Sequence, residues 1–152
     1  MIDEARLAET FIKLIGIDSE SKCEADVCQF LKQQLEMLGA KTSIDDAAEK
    51  IGGNSGNLIA KLKGTEKVPA LLLSAHMDTV TPGKGIRAVL KNKRFESRGE
   101  TILGADDKSA IAIILEVLRT LNDNNEGVCP IEIVFSVCEE IGLQGAKSLD
   151  FS

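Results

Sequence analysis

Two nearly unbroken apolar runs, ALLLSAH (70–76) and PIEIVFSVCEE (130–140), constrain this chain more than any other feature. Both have the length of a strand rather than a helix, and both read as central strands covered on two faces. Helical periodicities surround them. Leu7, Phe11, Leu14 and Ile15 predict a helix over 3–16. Val27, Phe30, Leu31, Leu35 and Leu38 predict a second over 22–38, with Gly39 just past its end. AKTSID (40–45) and NLIAKLKG (57–64) read as short strands, and GGNSG (52–56) between them as a turn. Those glycines match no phosphate-binding fingerprint. GIRAVLKNKRFES (85–97) reads as a hairpin with Asn92–Lys93 near its tip. Residues 106–123 predict a buried helix whose N-terminal acids suit the helix dipole. GLQGAKSL (142–149) suggests the start of a short helix. Alternating helices and buried strands make an α/β sandwich.

The length of 152 residues suits a single domain. No internal repeat, low-complexity tract or linker interrupts it. Five Phe, no Trp and no Tyr leave little material for stacking bases, and a net charge of -6 disfavours phosphate backbones, so no nucleic-acid partner is expected. No apolar stretch approaches the ~20 residues of a membrane span. The amphipathic N-terminus lacks the uncharged core of a signal peptide. Cys23, Cys28, Cys129 and Cys138 form no CxxC pair and read as reduced thiols of a cytoplasmic protein.

Ligands of open α/β sheets bind beyond the carboxyl ends of the strands. Three polar clusters fall where such ends are expected: His76/Asp78, Asp106/Asp107 and Glu139/Glu140. Each alone has a plain structural explanation, as a core histidine, helix-terminal acids or a solvated strand end. Together they offer one imidazole and five carboxylates. Residues i and i+2 of a strand share a face, so Asp78 can lie beside His76 and fix its tautomer. Imidazole with carboxylates suits zinc, with manganese or cobalt as substitutes. Magnesium or calcium held by the acids without chemistry is the competing possibility, and His76 argues against it because hard cations gain little from imidazole.

The segments SAHMDTV (74–80), ILGADDKSA (102–110) and CEEIGLQGAKSLD (138–150) resemble, in order, the signatures of the M20 di-zinc metallopeptidases, and most closely their peptidase T-like branch. The resemblance implies a three-layer zinc-exopeptidase-like sandwich, with a mixed, mostly parallel sheet and helices on both faces. It implies two Zn²⁺ (or Co²⁺ or Mn²⁺), with His76 on one, Glu140 on the other and Asp106 bridging them. It also implies a cis Asp106–Asp107 peptide. Asp78 would orient His76, and Glu139 would be the general base of an aminopeptidase acting on di- or tripeptides. An N-acyl amino acid amidohydrolase is the alternative on the same metal core, and a non-catalytic fragment is the alternative for this chain by itself.

The same resemblance implies further protein ligands, a second histidine among them, yet His76 is the only histidine of the chain. The expectation is therefore that 1–152 is the N-terminal portion of a catalytic domain, without its lid domain or C-terminal part. Such a portion is expected to be inactive alone, to hold metal weakly and to self-associate through uncovered sheet.

Overall fold

The computed structural model describes residues 1–124 and 127–150. Four strands form one sheet in the order β1-β2-β6-β3: β1 (Lys41–Ile44), β2 (Leu58–Leu62), β3 (Leu71–His76) and β6 (Ile131–Ser136). β2 pairs antiparallel with β1 and β6, and β3 pairs parallel with β6. Three strands therefore run one way and β2 alone runs against them. The sheet is mixed, as expected. A separate hairpin joins β4 (Ala88–Lys91) to β5 (Arg94–Ser97). Asn92 and Lys93 form its two-residue loop with φ of 51° and 62°, the left-handed pair that a tight hairpin with right-twisted strands demands.

Among the described residues five helices accompany the strands: α1 (Glu4–Ile15), α2 (Ala25–Met37), α3 (Ala47–Ile51), α4 (Ala105–Asn124) and α5 (Gln144–Lys147). The Asp3 side chain caps α1 by accepting from the N–H groups of Ala5 and Arg6, both at 3.0 Å. Arg6 on α1 then reaches Glu116 on α4, with its Nε 2.7 Å from Oε2. α3 was not anticipated in the sequence, where its five residues show no periodicity of useful length. It ends at Gly52, whose φ of 72° closes the helix with a left-handed residue.

The strand register separates the two faces of the sheet. Leu58, Ala60, Ile131, Ile133, Phe135, Leu73 and Ala75 share one face. α2 packs against β1 and β2, α4 against β3, and α1 against α4. Leu14, Leu31, Leu35, Ile111 and Leu115 close this core with no exposed area. The other face carries Ile59, Lys61, Leu72, Ser74, Glu132 and Val134. There Leu72 is 57% exposed and Lys61 pairs with Glu132.

β3 departs from expectation. Its apolar sequence predicts a central strand, but it lies at the sheet edge, with Leu71 and Leu72 each at least half exposed. Its apolar run matches burial that the described residues do not supply. β6 does lie between two strands, as its sequence suggests. No helix among the described residues is long and apolar enough to cross a membrane.

Candidate metal centre

β3 and β6 run in parallel, so their carboxyl ends lie side by side, with His76 opposite Ser136. Past β6 the chain turns sharply at Cys138, whose φ is 52°. That turn brings Glu139 and Glu140 back over the end of β3. The N-terminus of α4 delivers Asp106 to the same place. One donor atom each from His76, Asp106 and Glu140 lie within 4.8 Å of one another. Asp107 does not join this group, and the Asp106–Asp107 peptide is cis. Both aspartates have non-helical backbone angles, so regular helix begins only after them.

The imidazole of His76 is held at both ends. Its Nδ1 lies 2.9 Å from the carbonyl oxygen of Asp78, and its Nε2 lies 3.1 Å from Oδ1 of Asp106. Glu139 approaches the same Nε2 to 3.9 Å. The Asp78 carboxylate stands 3.4 Å from Nδ1, longer than a hydrogen bond, so the Asp78 backbone oxygen is the closer partner of the ring. The carboxylate itself turns to the glutamate pair. It accepts the N–H of Glu139 at 2.8 Å, the N–H of Glu140 at 3.2 Å and the hydroxyl of Ser21 at 2.6 Å. The sequence suggested a carboxylate that orients His76; the structure adds one that fastens the end of β3 to the Glu139–Glu140 turn.

These contacts set the charge states. Burial alone would lower the His76 pKa, but the Asp78 and Asp106 carboxylates outweigh it and raise it to about 9. Burial would likewise raise Asp78, yet His76, Ser21 and the two amides hold it below the usual carboxylate value. Burial pushes Glu140 and Asp107 up, and the neighbouring carboxylates add to the effect. The site thus concentrates negative charge that a cation would neutralise. One imidazole with oxygen donors is a fitting set for zinc or a similar divalent ion.

Sequence patterns missed the loop that supports this centre. DSESKCE (18–24) was read partly as the start of the second helix, but Lys22 has φ 75° and α2 begins only at Ala25. Ser19 donates to the Met77 carbonyl, Glu20 accepts the Gly83 N–H, and Glu24 accepts the Cys138 N–H. Lys108, fully buried, donates to the Ile17 carbonyl at 2.6 Å and steadies the loop from below. Burial lowers its pKa to about 8. Only a dense run of polar residues between two amphipathic stretches marked this loop in the sequence.

Known proteins resemble this chain over nearly its whole length. The chain is similar to the uncharacterized protein YqjE of Bacillus subtilis, with 43% identity over the whole chain and 41% of that protein covered. The structure is similar to aminopeptidase PepT from Bacillus cereus, with a TM-score of 0.96, 41% identity, and coverage of 98% of this chain and 40% of the other. It is also similar to a tripeptidase from Staphylococcus aureus, with a TM-score of 0.95, 40% identity, and coverage of 99% and 40%. The chain spans about two fifths of the length of these relatives. The family model of peptidase family M28 matches residues 57–150, which include every residue of the candidate centre. The chain belongs to peptidase family M28.

Proposed function

We propose that this chain is the metal-holding portion of a zinc-dependent exopeptidase, an aminopeptidase acting on di- and tripeptides in the cytoplasm. The convergence of donor atoms from His76, Asp106 and Glu140, with Glu139 beside them, carries the proposal. The likeness to the peptidase T-like branch of the M20 metallopeptidases, a separate family from M28, is part of the same proposal. That assignment rests on the three motifs in order and on relatives named aminopeptidase and tripeptidase. Those names also favour a peptide substrate over an N-acyl amino acid. The domain assignment is part of the same proposal: residues 1–152 as the N-terminal portion of a catalytic domain whose remainder and lid lie elsewhere in the protein.

With its proton on Nδ1, where the Asp78 carbonyl accepts it, His76 would offer Nε2 to a metal. Asp106 and Glu140 would supply carboxylate oxygens to a metal held there. A pair of zinc ions held there would polarise the scissile carbonyl and acidify the attacking water. Glu139 takes the proton that water loses and passes it to the leaving amine nitrogen, so the base returns to its ionised form after each cycle. Asp78 holds the amides of Glu139 and Glu140, which keeps the base and the ligand in register with His76.

The test is Glu139→Ala in the full-length protein, assayed on a tripeptide. Turnover should fall by roughly 10²–10⁴-fold while zinc content stays at the parent level. Hydrolysis within a few-fold of the parent would remove Glu139 from the base role. Residues 1–152 alone, with this incomplete set of donors, should hold metal weakly and turn over little peptide.

A further inference from the structure

Glu24 has no place in the chemistry above, yet its side chain is among the most enclosed of the molecule. It is fully buried, and its Oε2 has no hydrogen-bond partner. Oε1, in contrast, accepts from three donors: the Lys22 N–H at 3.0 Å, the Cys138 N–H at 3.0 Å and the Cys138 thiol at 3.4 Å. Lys22 and Cys138 both have left-handed backbones, with φ of 75° and 52°. Neither is a glycine, so each position needs its surroundings to hold it. One carboxyl oxygen does this for both.

The Cys138 amide is the first of three in a row. The next two, of Glu139 and Glu140, are held by Asp78. Two buried acids on different segments therefore grip successive amides of the turn that carries the proposed base and one proposed ligand. Asp78 does so from the end of β3, and Glu24 from the residue just before α2. The second grip matters because Cys138 is the residue at which the chain reverses. Asn57 holds the Val137 amide before the turn and Asp78 the two amides after it, so Glu24 supplies the hold on the Cys138 amide between them.

We propose that Glu24 is a positioning residue of the metal centre, which sets the direction of Glu139 and Glu140 through the Cys138 amide. This rests on the function proposed above. Glu24 is not among the converging donors His76, Asp106 and Glu140, and its Oε1 accepts from Lys22 and Cys138 instead. Glu24→Gln keeps an oxygen acceptor in the same place, whereas Glu24→Ala removes it.

The experiment combines amide hydrogen exchange and cobalt titration on the metal-free full-length protein and its two variants. In the parent, the Cys138 amide should exchange slowly, at the rate of the neighbouring Val137. In Glu24→Ala, the Cys138, Glu139 and Glu140 amides should exchange faster, and cobalt affinity should drop by about 10-fold or more, as when a partner behind a metal ligand is lost. Glu24→Gln should recover most of both. A core residue acting only on stability would lower the melting temperature without this selective change at 138–140 and without rescue by glutamine.

A Cys138 amide that exchanges in the parent as fast as an exposed one overturns the inference, and so does a folded Glu24→Ala with parental affinity. Glutamine falling as far as alanine would also overturn it. If Glu24→Ala does not fold, the parent exchange rate and the glutamine variant decide. A parent that takes up no cobalt while its 138–140 amides stay protected would fault the metal proposal and leave the role of Glu24 in holding the turn intact.

Discussion

At the residue scale, the centre depends on groups that hold backbone as much as on groups that would hold metal. Asp78 is the clearest case, because its carboxylate is fully enclosed and accepts two amides and a hydroxyl. Asp78→Ala should weaken cobalt binding by roughly 10–100-fold, measured by titration of the folded variant; parental affinity would contradict the positioning argument. Gly145 makes a second test. A Cβ there would collide with the Val137 carbonyl oxygen and crowd Asn57, whose side chain donates to the Gly145 carbonyl and accepts from the Val137 amide. Gly145→Ala should cost about 2 kcal/mol or more, read from urea unfolding. HxD and the paired glutamates were legible in the sequence because their chemistry is carried by side chains at short spacing. Ser21 and Glu24 were not, because their partners are distant amides and carboxylates that only the folded chain brings near.

At the element scale, the amphipathic periodicities of α1, α2 and α4 predicted their positions to within a few residues. What ends or begins each helix was less visible. α2 starts late because Lys22 is left-handed and Glu24 turns away to the site, neither of which a propensity conveys. The seam between α1 and α4 is held by Arg6 and the buried Glu116. Arg6 holds the Glu116 carboxyl down to about 2, against an ordinary value near 4.5. A depressed carboxylate stabilises the fold fully above the unfolded value and loses that contribution as pH falls from there towards about 2. Glu116→Gln should therefore melt below the parent at pH 7, and the gap should close as pH approaches 2 in a thermal series. A gap that stays constant with pH would argue against the ion pair. Core packing gives a larger effect: Leu31→Ala, at a side chain with no exposed area, should cost about 3 kcal/mol by the same urea measurement.

At the scale of the whole molecule, the sheet has an exposed edge at β3 among the described residues. β3 presents an edge whose Leu71 and Leu72 are exposed, and edges of this kind recruit further strands. The chain should sediment with a concentration-dependent increase in mass, and Leu72→Lys should reduce it. A single monomer species at high concentration would remove this expectation and, with it, the homo-oligomer inferred from the sequence.

The apolar runs, the helical stripes and the three acidic or imidazole clusters were enough, from residue order alone, to specify an α/β chain with the residues of a metal centre. Periodicity encodes which side of an element is buried, and the residue types encode which ions they suit. Whether three clusters separated by some 30 residues each would meet was a matter of topology. It was decided by the parallel pairing of β3 with β6, the left-handed turn at Cys138 and the entry of α4. The edge position of β3 was equally invisible, because an apolar strand looks the same whether its neighbour lies within these residues or not.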